Sequence, residues 1–102
     1  MKVEWTRLAE ESAVAAAAFI GRDKPGAAGN WLDRVHSAAG ELRRFPNQGR
    51  IVPELGKPDY REIVVRPYRI VYRVFPQRVV IVAVRHSRQA WSVAHSKDQT
   101  PP

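Results

Sequence analysis

The stretch Tyr60-Arg61-Glu62-Ile63-Val64-Val65-Arg66-Pro67-Tyr68-Arg69-Ile70-Val71-Tyr72-Arg73-Val74-Phe75-Pro76-Gln77-Arg78-Val79-Val80-Ile81-Val82-Ala83-Val84 decides the fold. Two prolines cut it into three β-type runs. Residues 60–66 alternate, with Ile63 and Val65 set apart from Glu62 and Val64, which suits a strand with two unlike faces. Pro67 marks a break. Residues 68–75 are rich in β-branched and aromatic side chains, the types that pack well on a pleated surface. Pro76-Gln77-Arg78 is a short turn, and residues 79–84 are almost wholly apolar, as in a central strand covered on both faces. Strands joined by turns this short pair antiparallel. Beyond His86 the pattern fades, and residues 96–102 are polar with a double proline, the composition of a frayed tail.

Upstream of the meander, residues 46–59 hold Pro46, Asn47, Gly49, Pro53, Gly56 and Pro58 and read as a loop with turns. Ile51, Val52 and Leu55 predict that it folds against the body. Residues 1–45 read as a short strand and two helices. Lys2-Val3-Glu4-Trp5 alternates, and Thr6 is placed to cap a helix. Leu8, Ser12, Ala15 and Phe19 follow at helical spacing, with Ala16 and Ile20 beside them. Gly21 is the expected end of this helix. Asp23 is the expected cap of the next, with Pro25 in its first turn. Leu32, Val35, Ala39, Leu42 and Phe45 form one apolar stripe, and Phe45-Pro46 stops the helix. The short link predicts an antiparallel hairpin. The fold class is therefore α+β: an N-terminal strand and an antiparallel helix hairpin packed on a mainly antiparallel β-sheet.

Alternation assigns the faces of that sheet. Ile70, Tyr72 and Val74 share the expected core side. Arg69, Val71, Arg73 and Phe75 share the other, expected open, side. Carried along the next strand, the same counting groups Val80, Val82, Val84 and His86. Arginines, an imidazole and apolar residues on one open face would form a docking surface.

A chain of 102 residues holds one core, read here as a single domain over residues 1–95. Seventeen Lys+Arg against ten Asp+Glu give a net charge of +7, which favours an anionic partner. Cysteine is absent, so disulfides, thiolate catalysis and thiolate zinc sites are excluded. No run of about 20 apolar residues is present to span a membrane. The apolar run 13–20 lacks a basic leader and a cleavage site, so the expected location is the cytoplasm. There is no phosphate-binding glycine loop, no metal-ligand spacing, no paired carboxylates and no nucleophile constellation. No metal or cofactor is expected.

The order of segments is similar to that of a known superfamily. Val3-Glu4-Trp5-Thr6 leads into a helix hairpin. Phe45-Pro46-Asn47-Gln48-Gly49-Arg50 and Val52-Pro53-Glu54-Leu55 follow. Then come Tyr60-Arg61-Glu62-Ile63-Val64-Val65 and Tyr68-Arg69-Ile70-Val71-Tyr72-Arg73-Val74, and last Val79-Val80-Ile81-Val82-Ala83-Val84-Arg85-His86-Ser87-Arg88. Over about residues 2–91 this resembles the RelE/ParE superfamily, the toxins of type II toxin–antitoxin pairs, also called plasmid stabilisation proteins. The resemblance implies a cognate antitoxin that wraps and neutralises the chain. It also implies one of two targets. ParE-like members bind DNA gyrase and catalyse nothing themselves, whereas RelE-like members cut mRNA in the ribosomal A site.

The resemblance nominates residues for each reading. As an endoribonuclease, the chain would use Arg69 and Arg73 on the scissile phosphate and His86 for proton transfer, with Arg61 and Arg88 in support. As a ParE-like toxin it would use Arg61, Arg69, Arg73, His86, Arg88 and Trp91 to contact target or antitoxin. Leu8, Phe19 and Trp31 are candidates for an antitoxin groove. Each has a plain structural alternative: strand arginines pairing with Glu54 or Glu62, and His86 as a packing residue at a strand end. His36 and His95 read as incidental. RelE carries lysines before the arginine strand and a tyrosine after the last strand. Here Lys57 is the only lysine near the first place, and Trp91 stands near the second. The Pro-Asn-Gln-Gly-Arg and Arg-Pro-Tyr-Arg-Ile strings are nearer the ParE side. A third reading is an inactive member that only binds antitoxin.

Overall fold

A computed structural model describes residues 1–89. The elements run β1 (Lys2–Trp5), α1 (Arg7–Asp23), α2 (Pro25–Glu41), β2 (Arg50–Ile51), β3 (Tyr60–Val65), β4 (Tyr68–Val74) and β5 (Arg78–His86). They build one five-stranded sheet in the order β1-β5-β4-β3-β2. The β3-β4-β5 meander is antiparallel, and β1 lies parallel beside β5. The expected α+β fold is the observed one: a helix hairpin covers one face of a mainly antiparallel sheet. The end of the expected domain, the expected tail, Trp91 and His95 fall outside the described residues.

Thr6 caps α1, its hydroxyl accepting from the Ala9 N–H at 3.0 Å. The face that α1 buries is one step away from the expected stripe. Ala9, Ala13, Ala16 and Ala17 are buried, while Leu8 and Phe19 are exposed. Small side chains win the interface because they let the helix lie close to its neighbours. The helix also runs through Gly21 instead of stopping there. Gly21 lies where the two helices meet: a Cβ placed on it would sit 3.3 Å from the Ala28 Cβ. Asp23 belongs to α1, and Lys24 stands at the start of α2 with no side-chain cap.

Trp31, Val35, Ala39 and Leu42 carry the buried stripe of α2. Phe45 does not continue it. The backbone tightens after Glu41, with Leu42 and Arg43 donating three residues back, so Phe45 leaves the stripe and stands exposed. The loop that follows is folded against the body, as its apolar residues predict. Val52 is fully buried, and with Leu55 it packs on Tyr60, Val71, Val80, Val82 and Ala83. The sheet face expected to be open is therefore partly roofed by residues 52–59.

The meander has one irregularity with consequences for the site. Val71 pairs with Ala83, but its neighbour Tyr72 pairs with Ile81, leaving Val82 as an extra residue in β5. This β-bulge resets the alternation. Val80 and Val82 face the roofing loop, whereas Val84 lies in the helix-side core. His86, the register partner of Tyr68, faces the helices too. The grouping of Val80, Val82, Val84 and His86 on one face is thus corrected: the extra residue turns the last two over.

Candidate functional site

Arg69 is the centre of the loop-side face. It is 6% exposed and directly beside Glu62, which is 1% exposed. Its Nε donates to Glu62 Oε1 at 2.7 Å, and its NH2 lies 2.6 Å from the same oxygen. Its two terminal nitrogens fork onto Glu54, at 3.0 and 2.9 Å. NH1 also reaches the Gln89 carbonyl at 3.4 Å. Glu62 accepts a second arginine, Arg50, whose Nε lies 2.6 Å from Oε2. Two carboxylates and two guanidiniums are thus joined in one network. The Glu54 hydrogen bonds raise the Arg69 pKa above its ordinary value; burial opposes this, and Glu62 adds to the rise.

Arg73 shares this face, four residues along β4. It bonds Asp59 Oδ2 at 2.9 Å and lies over the rings of Tyr60 and Phe75, at 5.3 and 4.7 Å from their centroids. Arg78 approaches Phe75 to 4.9 Å and bonds Glu4 at 3.2 Å. The Phe75 ring is therefore engaged by two guanidiniums.

The other candidates lie elsewhere. Arg61 points to the helix side, where NH1 donates to the carbonyls of Gly49 at 2.9 Å and Asn47 at 3.3 Å. His86 packs edge-on against Tyr68 at 5.3 Å, and Tyr68 packs on Trp31 at 5.2 Å. Nδ1 of His86 accepts from the Arg88 N–H at 3.2 Å. Burial raises the pKa of Tyr68. The structure brings Arg69 and Arg73 together on one face and sets His86 and Arg61 on the opposite one. Arg88 is exposed just past β5. Trp91 lies outside the described residues.

Of the three groove candidates, two meet. Phe19 and Trp31 line a groove of about 310 Å³ at the tip of the helix hairpin, with Ile20, Ala27 and Pro67. Lys24, Arg34 and Arg66 stand on its rim beside Asp23. The Trp31 indole N–H donates to the Val65 carbonyl at 3.1 Å, which fixes the ring as a wall. Leu8 lies 11 residues from Phe19 along α1, about 16 Å at helical rise, and does not line this groove.

Sequence reasoning missed one element, the turn before β2. The Tyr72 hydroxyl donates to the Pro46 carbonyl at 2.7 Å and accepts from the Gly49 N–H at 2.9 Å. Burial is the main cause of the raised Tyr72 pKa, opposed by the Gly49 hydrogen bond and nearby Arg61. The signal was present in Pro46-Asn47-Gln48-Gly49, but its anchor lies in another strand.

Comparisons with known proteins agree on the kind of chain this is. The family model described as the ParE toxin of the type II toxin–antitoxin system parDE matches residues 3–91. Toxin RelE2 of Caulobacter vibrioides is 37% identical over 87 residues, covering 84% of this chain and 94% of that protein. Y4kP of Sinorhizobium fredii is 34% identical over 92 residues, covering 88% and 92%. A chain in the solved chromosomal ParDE system from P. aeruginosa shares the fold, with a TM-score of 0.70 at 21% identity, over 84% of this chain and 95% of that one.

Proposed function

This chain belongs to the ParE toxin family of type II toxin–antitoxin systems, and from that premise we propose that it inhibits growth by binding DNA gyrase, with no catalytic step of its own. A cognate antitoxin holds it inactive. One observation carries the choice between targets. An RNA-cutting site needs a guanidinium free to take phosphate oxygens and an imidazole aimed at the same reacting atoms. Here the Arg69 fork is filled by Glu54 and backed by Glu62, and His86 stands on the other side of the sheet. That arrangement supports a binding protein.

The relative named RelE2 favours a second reading, ribosome-dependent mRNA cutting by Arg69, Arg73 and His86. Pulse labelling after induction of the chain alone separates the two. The gyrase reading expects DNA synthesis to fall within minutes while translation continues, and toxicity to survive His86→Ala. Early collapse of translation, with mRNA cut at codon boundaries, would overturn it. If growth is untouched at matched expression, the chain is a member that only binds antitoxin.

The groove at the hairpin tip supports a place for that antitoxin. Its apolar walls and three rim cations suit an amphipathic segment with acidic flanks. Phe19 is 59% exposed, so replacing it leaves the core intact. Phe19→Glu should keep the melting temperature within about 2 °C. It should weaken antitoxin binding by tenfold or more, about 1.4 kcal/mol. Unchanged affinity in titration calorimetry would move the antitoxin elsewhere.

A further inference from the structure

Residues 43–50 form a turn that is fastened from beneath and, among the described residues, exposed above. Beneath, the Tyr72 hydroxyl takes the Gly49 N–H and the Pro46 carbonyl, and Arg61 holds the carbonyls of Asn47 and Gly49. Arg50 is tied through Nε to Glu62, yet its side chain is 63% exposed. Above, Arg43, Arg44, Phe45, Asn47 and Gln48 are all exposed, Phe45 to 55%. The Arg44 guanidinium sits 5.6 Å from the centre of the Phe45 ring. Arg44, Phe45, Pro46, Asn47 and Gln48 line a shallow depression of about 430 Å³. Among the described residues, no carboxylate lies within ion-pair distance of Arg43 or Arg44.

A buried tyrosine, a buried glycine and a half-buried arginine all serve to fix this one turn. Fixing it removes the ordering cost from whatever it binds. The groups it presents are guanidiniums, a ring and two amides. Guanidiniums contact phosphates, an exposed aromatic ring stacks on an unpaired base, and amides bond base edges. An acidic peptide would satisfy the cations and could bond the amides, but its carboxylate side chains offer no flat face to stack on the ring.

We propose that this turn binds an unpaired stretch of DNA. Phe45 stacks on a base in the depression, and Arg43, Arg44 and the outer nitrogens of Arg50 contact the phosphates on either side. The choice of DNA over RNA rests on the gyrase reading. The overall charge of +7 draws the same strand in from a distance.

Fluorescence anisotropy with labelled oligothymidine and the purified chain tests this without gyrase. Phe45→Leu keeps the bulk of an exposed position but removes the stacking face, and circular dichroism confirms that the fold is retained. Its affinity should fall about tenfold, the loss expected from one base–aromatic stack. In Arg43→Ala/Arg44→Ala the slope of log K against log salt should lessen by about 0.7 per arginine. The proposal is overturned if Phe45→Leu binds as the parent does. It is also overturned if oligouridine or polyglutamate displaces the probe better than unlabelled oligothymidine. A parallel supercoiling assay keeps the two readings apart. Phe45-dependent DNA binding by a chain that leaves gyrase untouched refutes the gyrase reading and upholds the surface.

Discussion

Gly49→Ala should cost about 3 kcal/mol of stability in urea unfolding, and lower the melting temperature by about 15 °C. A Cβ on Gly49 would lie 2.5 Å from the Glu62 carbonyl oxygen and 2.6 Å from the Tyr72 hydroxyl. The first of these is backbone in a paired strand and has little freedom to yield. The turn must lift, and both hydrogen bonds of the Tyr72 hydroxyl go with it. Tyr72→Phe alone leaves the Gly49 N–H and the Pro46 carbonyl without that partner, and should cost about 1–2 kcal/mol. The two changes touch, so their effects should not add. Without the hydroxyl one clash disappears, and the double variant should be more stable than the sum predicts. Strict additivity would mean that the contacts left in place, the Glu62 carbonyl at 2.5 Å and the ring carbon Cε1 at 2.9 Å, set the cost.

Arg69→Met should destabilise the chain by about 3 kcal/mol, because it strips a buried carboxylate of its main partner. The Glu62 side chain is fully buried, and Arg50, its remaining partner, is largely in solvent. Replacing both by methionine should recover about 1–2 kcal/mol of the loss, since an apolar pair in place of a buried ion pair is often close to neutral. Glu54 and Arg50, which the double change leaves behind, can both reach water. Urea midpoints of the parent, both single variants and the double variant complete the cycle. A double variant no better than Arg69→Met would show that the network is worth more than its desolvation cost. Toxicity of the same proteins, below their melting temperatures, bears on function. Gyrase binding survives the loss of Arg69 if Arg69 is a fastening residue, whereas phosphate chemistry does not.

Which parts of this molecule could be read from its residues follows from how local each signal is. The strands and the hairpin were legible because alternation, turn prolines and the Thr6 cap act within a few residues. The pairing of Arg69 with Glu54 and Glu62 was legible as one of two options. What decided it was the loop 52–59, which brings Glu54 over the strand. The buried face of α1 was misjudged by one position. Helical spacing admits several neighbouring stripes, and close packing selects the one made of Ala9, Ala13, Ala16 and Ala17 over the one that holds Leu8 and Phe19. His86 lies on the face opposite to the one that counting in twos predicts, because that counting assumes an unbroken ladder. Nothing in Val80-Ile81-Val82-Ala83, all small or branched and apolar, announces which residue is extra. The anchoring of Gly49 by Tyr72 was invisible for a different reason, since 23 residues separate the partners.

The parallel pairing of β1 with β5 has a consequence for the order of events at synthesis. Residues 2–5 are made well before their sheet partners, residues 78–81. The Thr6 N–H is also committed to the Ile81 carbonyl. Until β5 emerges, β1 has no neighbour and α1 lacks much of the surface it packs on. Closing so long a loop is entropically slow, so the sheet stays incomplete for as long as the segment between β1 and β5 is being made. Any harmful surface that depends on the finished sheet is withheld until β5 arrives, which gives a partner already in the cell an interval in which to meet it.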